Sequence, residues 1–220
     1  MTDTVREIER TYAARKAGTA RLPDLSGKGP VATVTERGPA ELDAVYYDTA
    51  DRRLAAAGIT LRRRTGGEDV GWHLKLPVAP AVREEIRAPL ADEVPREMAS
   101  LVRARTRGAA LVPLVRIVSH REVRHLLDAD GALLAELSAD RVTAVRLDAP
   151  GAASGWTEYE AELAPGRDPG LLDELEPHLR AAGLRPCDAP SKLARALAET
   201  GAAPPAPARP PADEPRTSGE

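Results

Sequence analysis

Residues 5–12 read Val5-Arg6-Glu7-Ile8-Glu9-Arg10-Thr11-Tyr12. Side chains on a β-strand alternate between faces, so Glu7 and Glu9 share a face with Val5 and Thr11. Two carboxylates roughly 6 Å apart repel by about 3 kcal/mol at an effective dielectric near 20. A solvated strand face accounts for one such pair. The pattern returns in Trp156-Thr157-Glu158-Tyr159-Glu160-Ala161-Glu162-Leu163, where carboxylates alternate with Tyr159, Ala161 and Leu163. There the apolar face is the packed one, and the acidic face must meet something else.

Basic residues share strand faces in the same way. Arg62 alternates with Arg64, His73 with Lys75, and Arg83 and Arg87 flank Glu85 on one face; Arg121 sits mid-strand in Ser119-His120-Arg121-Glu122. Strand-like segments fill most of the first ~165 residues: Val5–Ala13, Val31–Arg37, Leu42–Thr49, Ile59–Thr65, Val70–Pro77, Val82–Pro89, Arg116–Leu127, Leu133–Leu147 and Trp156–Leu163. The stretch 133–147 also reads as two strands meeting near Asp140. Asp128-Ala129-Asp130-Gly131 is a hairpin signal. Helices are expected at Asp51–Ala57, Pro95–Arg107, Asp168–Ala182 and Ser191–Thr200, the first three ending at Gly58, Gly108 and Gly183.

That many antiparallel strands must protect their edges, and closure into a barrel does so. The reading is therefore an α+β fold, mainly β: an eight-stranded closed antiparallel barrel with flanking helices over residues 1–200. If its outer face packs against helices, the charged faces line the interior. Such an interior needs a ligand of both signs, and a phosphate chain carrying a divalent cation is one.

Composition narrows the classes further. Among 220 residues the formal net charge is −3, so no overall basicity points to nucleic acid. Cys187 is the only cysteine, which excludes an intrachain disulfide and a cysteine-rich zinc site. No apolar run reaches the ~18–20 residues of a membrane span, and the start lacks a signal peptide's apolar core, so a cytoplasmic protein is expected. Residues 201–220, rich in Pro, Ala and charge, predict an extended tail or linker.

The run from Tyr46 to Pro77, YYDTADRRLAAAGITLRRRTGGEDVGWHLKLP, resembles the CYTH domain family, the triphosphate tunnel metalloenzymes. The Glu-x-Glu start, the strand 156–163 and the terminal Ser191-Lys192-Leu193-Ala194-Arg195-Ala196-Leu197 resemble it too. The likeness covers about residues 4–200 in order. It is greatest to the version that precedes a CHAD domain, a helical phosphate-binding module. The resemblance implies an eight-stranded barrel forming a tunnel for triphosphate compounds, with Mg²⁺ or Mn²⁺ as cofactor.

Carried over residue by residue, it makes Glu7 and Glu9 the first acidic pair and Glu160 and Glu162 the second, all four catalytic and metal-binding, with Glu158 a supporting metal ligand. Arg62, Arg64, Lys75, Arg121 and Lys192 would grip phosphate oxygens, with Arg83, Glu85 and Arg116 as further assignments. Lys192 would sit on a helix that plugs the tunnel. One position departs: the family opens with Glu-x-Glu-x-Lys, and this chain has Thr11 where Lys is expected.

The implied reaction is metal-dependent hydrolysis of inorganic triphosphate or of a nucleoside or thiamine triphosphate. A non-catalytic polyphosphate-binding module and adenylate cyclase-type chemistry are the alternatives.

Overall fold

A computed structural model describes residues 2–14, 21–187 and 189–202. In chain order the elements are β1 (Asp3–Ala14), β2 (Thr33–Asp48), α1 (Arg53–Ala56), β3 (Thr60–Thr65), β4 (Gly71–Ala79), β5 (Val82–Ala88), α2 (Arg96–Thr106), β6 (Val112–Leu127), β7 (Leu133–Arg146), β8 (Ala153–Leu163), α3 (Gly170–Ala181), β9 (Leu184–Pro186) and α4 (Lys192–Glu199). The strands run in the order β5-β4-β3-β2-β6-β7-β8-β1, and β1 also pairs with β5, so eight antiparallel strands close on themselves. Closure depends on β1 dividing its partners. Asp3 to Ile8 pair with β5, whereas Glu9 to Tyr12 pair with β8. The short β9 then extends the sheet beside Tyr12–Ala14.

Two expected strands, Val31–Arg37 and Leu42–Thr49, are one. β2 runs through the Gly38-Pro39 punctuation because its pairing with β6 resumes after a one-residue shift between Glu36 and Gly38 and continues, with a second shift between Tyr46 and Tyr47, to Asp48. Likewise β7 passes Asp140 without a break. The Asp128 hairpin forms as expected, with its carboxylate accepting from the N–H groups of Asp130 and Ala132 and with Gly131 at positive φ. The helix expected at Asp51–Ala57 is only the single turn Arg53–Ala56. Buried Asp48 holds it by accepting from the N–H groups of Leu54 and Ala55, both at 2.9 Å. Most of the expected tail lies outside the described residues; Gly201 and Ala202 still belong to the α4 terminus, with Ala202 N–H donating to Leu197 O.

Strand alternation gives the barrel an inverted polarity, with most of its apolar core outside. On one flank Tyr12, Leu137, Tyr159, Ala161 and Leu163 pack beneath Leu171, Leu172, Leu175 and Leu179 of α3. On the other, Leu61, Trp72, Leu74 and Ile86 pack beneath Leu54 of α1 and Met98 and Val102 of α2. The third apolar cluster lies inside, at one end. Ala44, Tyr46, Val115, Ile117, Val142, Ala144 and Trp156 share strand parity with the charged positions and meet Leu193, Ala196 and Leu197 of α4. That helix is a plug. Its first turn is capped by Ser191, whose Oγ accepts from Ala194 N–H at 3.1 Å. No helix among the described residues is long and apolar enough to cross a membrane.

Leu175 is 1% exposed at the centre of the α3 contact. Leu175→Ala should cost about 2–5 kcal/mol of stability, the range for deleting a fully buried leucine. Chemical denaturation reads this directly; a loss under ~1 kcal/mol would mean that α3 adds little to the barrel.

Candidate functional site: a charged tunnel

The plug leaves a cavity of about 230 Å³ inside the barrel. Glu7, Glu9 and Thr11 of β1 line it, with Arg62 and Arg64 of β3, Lys75 of β4, and Arg83, Glu85 and Arg87 of β5. Arg121 of β6, Glu158, Glu160 and Glu162 of β8, and Lys192 of α4 complete the wall. Of the residues singled out in the sequence, only Arg116 stays outside. It is separated from Arg121 by an odd number of positions, so the strand turns it outward, where its fork rests on Asp43 at 2.9 and 2.5 Å. Asp140, Arg87, Glu136 and Asp69 also line or bound the site and were not singled out for it. Asp140 lies directly across from Arg121 in the β6–β7 register, which no reading of one strand alone reveals.

At the plug end the charges neutralise one another. The Lys192 ammonium lies 2.6 Å from Glu160, 2.7 Å from Glu158 and 3.0 Å from Asp140. Arg121 forks onto both Asp140 oxygens at 2.7 Å and reaches Glu160 at 2.7 Å. Burial would push the Asp140 and Glu160 carboxyls up, but Lys192 and Arg121 outweigh it and hold both below the usual range. Glu158 also accepts from Trp156 Nε1 at 2.5 Å, and Arg195 lies over the Trp156 ring. Asp140, Glu158 and Glu160 are therefore an acidic cluster of the right chemistry for a divalent cation, their nearest oxygens within 4.8 Å of one another, with a lysine ammonium already among them.

Toward the β1–β5 seam a second network forms. Lys75 lies 2.5 Å from Glu7 and 4.0 Å from both Glu9 and Glu85. Glu85 also meets Arg87, Arg62 and His73. Burial pushes Glu85 up, but the His73 contact, Lys75 and Arg62 hold it far below the usual range. Glu7 goes the other way, since its burial exceeds the help of Lys75. His73 stands behind this wall with Nδ1 at 2.9 Å from Glu85 and Nε2 at 2.9 Å from the Asp69 carbonyl. Both neighbours are acceptors, so a neutral imidazole can donate to only one of them.

Between the networks the acid is less compensated. Glu9 and Glu162 are direct cross-strand partners in the β1–β8 ladder. Like charges at such positions repel. Glu9 has Arg83 at 3.7 Å and Lys75 at 4.0 Å, while Glu162 has no ion pair among the described residues. Burial, with Lys75 opposing and Glu7, Glu9 and Glu160 reinforcing it, pushes Glu162 up to about 8. The carboxylate oxygens here suit a hard divalent cation, and so does buried Glu7 Oε2, which has an ammonium beside it but no aligned hydrogen bond. The repulsion that begins at Glu7 and Glu9 is thus met in part by Lys75 and left open at Glu162.

A profile of the CYTH domain matches residues 6–192. The chain belongs to the CYTH domain family. It is 42% identical over 224 aligned positions to an uncharacterised protein of Mycobacterium tuberculosis, known from two strains, covering 94% of this chain and 43% of that protein. The chain thus spans less than half the length of the curated relatives it matches. In fold it is similar to a putative adenylate cyclase from Bacillus halodurans (TM-score 0.55, 16% identity, 87% of this chain and 97% of that one). It is also similar to a Pyrococcus horikoshii protein (0.52, 16%, 88% and 99%). A third is a putative adenylyl cyclase from Hippeastrum described as having a dominant triphosphatase activity (0.50, 18%, 87% and 95%). This CYTH barrel has the closed eight-stranded form expected from its strand pattern.

The raised Glu162 sets a sign for pH dependence. An unfolded glutamate titrates near ~4.3, so between there and about 8 the folded state holds the extra proton. Stability from this group is present at low pH and lost as pH rises through about 8. In metal-free buffer, Glu162→Gln should reduce the fall in Tm between about pH 6 and about pH 9 by several degrees. An unaltered fall would mean that Glu162 is already ionised at neutral pH.

Proposed function

We propose that this CYTH tunnel binds the triphosphate group of inorganic triphosphate or of a related triphosphate compound, and hydrolyses a phosphoanhydride bond with Mg²⁺ or Mn²⁺. One observation carries the reading: Arg62, Arg64, Lys75, Arg121 and Lys192, from three strands and the plug, converge on one cavity faced by Glu7, Glu9, Glu160 and Glu162. A cavity lined by both signs suits a polyanion with its counter-cation.

In this mechanism the arginine forks take pairs of non-bridging oxygens, and Lys75 and Lys192 act as point charges. Each lysine then trades a carboxylate contact for a phosphate one. Glu7, Glu9, Glu160 and Glu162 would hold the ion, which when bound neutralises charge on the phosphates. Glu158, engaged by Trp156 and Lys192, serves as support. Burial pushes Glu162 up to about 8 in the ion-free site, a shift that suits a proton acceptor for an attacking water. Arg83 borders the site through Glu9. In this reading residues 1–200 form the tunnel domain of a cytoplasmic protein, residues 201–220 act as a linker, and a CHAD domain is the expected partner.

Release of phosphate from tripolyphosphate, dependent on Mg²⁺ or Mn²⁺, is the test. Arg62→Ala with Arg64→Ala should weaken tripolyphosphate binding at least tenfold, since a charge-assisted contact is worth roughly 1.5–3 kcal/mol. Unchanged affinity by calorimetry in the folded double variant would remove these arginines from the ligand site.

Thr11 favours a second reading, a polyphosphate-binding module without turnover. It lines the cavity opposite Glu160, where a lysine would offer a cation and threonine offers a hydroxyl. Under the enzymatic reading Thr11→Lys should raise kcat, because one transition-state contact is worth roughly 2–4 kcal/mol in comparable sites. Under the second it should lower Kd for tripolyphosphate and leave turnover absent. A folded variant changing neither quantity would mean that position 11 does not meet the ligand.

A further inference from the structure

Arg64 is a buried cation of the tunnel wall whose one carboxylate partner among the described residues is Asp69. It is 8% exposed, and burial with Arg62 and Arg121 nearby pulls its pKa down to about 10. Among the described residues both of its hydrogen-bond acceptors belong to Asp69: the backbone carbonyl takes Nε–H at 3.1 Å, and Oδ2 takes Nη2–H at 3.1 Å. The other Asp69 oxygen lies 3.8 Å from Arg87, a second cavity-lining cation. His73 supports the same residue from behind, at the carbonyl.

Asp69 belongs to the segment between β3 and β4, in Thr65-Gly66-Gly67-Glu68-Asp69-Val70. Gly66 and Gly67 take positive φ, and a Cβ on Gly66 would lie 2.1 Å from the Glu41 carbonyl, so only glycine folds this turn against β2. The turn is built to carry a carboxylate to the cavity wall. Unlike the other tunnel acids, the Asp69 side chain is 49% exposed. A buried guanidinium demands an anion, whereas a half-solvated carboxylate loses little by returning to water.

We propose that Asp69 is a resident anion of the tunnel, a specificity residue that occupies Arg64 and Arg87 until a polyphosphate displaces it. The inference rests on the polyphosphate reading of the site. Asp69 thereby sets a threshold: an anion reaching these arginines must supply more charge than the carboxylate it replaces. The backbone carbonyl keeps its contacts with Arg64 and His73 throughout, so displacement requires rotation of one side chain rather than remodelling of the turn.

Asp69→Asn retains the shape and the backbone acceptors and removes the charge. Calorimetric titration of the full chain with tripolyphosphate should give a Kd about fivefold lower for Asp69→Asn, the factor matching the ~1 kcal/mol upper range of an exposed ion pair. The gain should disappear in the Arg64→Gln background, because the competition is for that guanidinium. Equal or weaker binding by Asp69→Asn, or a gain that persists without Arg64, overturns this inference and leaves the function standing. No tripolyphosphate binding by either the unchanged chain or Asp69→Asn overturns both.

Discussion

The ammonium of Lys192, shared among Glu158, Glu160 and Asp140, is the contact on which the inside of the barrel depends. Three carboxylates that close are stable in a buried wall only with a cation among them. Lys192 comes from the plug helix, so the apolar contacts of Leu193, Ala196 and Leu197 deliver the charge. Plug packing and tunnel electrostatics are therefore one cooperative unit. The same carboxylates pull the Lys192 pKa well up against the effect of burial, so the ammonium stays charged through the physiological range. Arg121 performs a parallel task from β6, and its fork accounts for both oxygens of Asp140, the residue that sequence reading passed over.

An interior of this kind is affordable because the apolar driving force lies elsewhere. Leu171 to Leu179 of α3 cover one outer face, and Met98 and Val102 of α2 cover another. Each strand there contributes alternate residues to an external core and to the charged wall. A change of register by one residue would reverse every assignment, exposing leucines to the tunnel and carboxylates to the helices. The closed ladder, in which β1 divides its partners between β5 and β8, holds that register.

This alternation is also why the fold was legible. Glu7 with Glu9, Arg62 with Arg64, and Glu158 through Glu162 announce a strand face by spacing alone, and all of them line the cavity. What spacing does not carry is pairing across strands. Asp140 has no charged neighbour two residues away in Ser138-Ala139-Asp140, and its meaning appears only opposite Arg121. Arg116 failed for the complementary reason: it is basic and on the right strand, but of the wrong parity. The join of two expected strands into β2 follows the same logic, since continuous pairing with β6 overrides the local Gly38-Pro39 signal. Asp69 was invisible because turn composition specifies a bend and not what its side chain will face.

The remaining asymmetry of the tunnel is its most informative physical feature. At the plug end Lys192 and Arg121 leave Asp140 and Glu160 low in pKa, and Trp156 holds Glu158 as well. At the β1–β8 ladder Glu9 faces Glu162 with cations only at the edge of reach, and Glu162 retains its proton toward about 8. A Lys at position 11 would stand on this ladder beside Glu9 and opposite Glu160, so its replacement by Thr11 deepens the local deficit of positive charge. That deficit favours a mobile cation more than a fully paired wall would and disfavours an anion. Under the proposed function, the same substitution pulls the two halves of the ligand, cation and polyphosphate, in opposite directions.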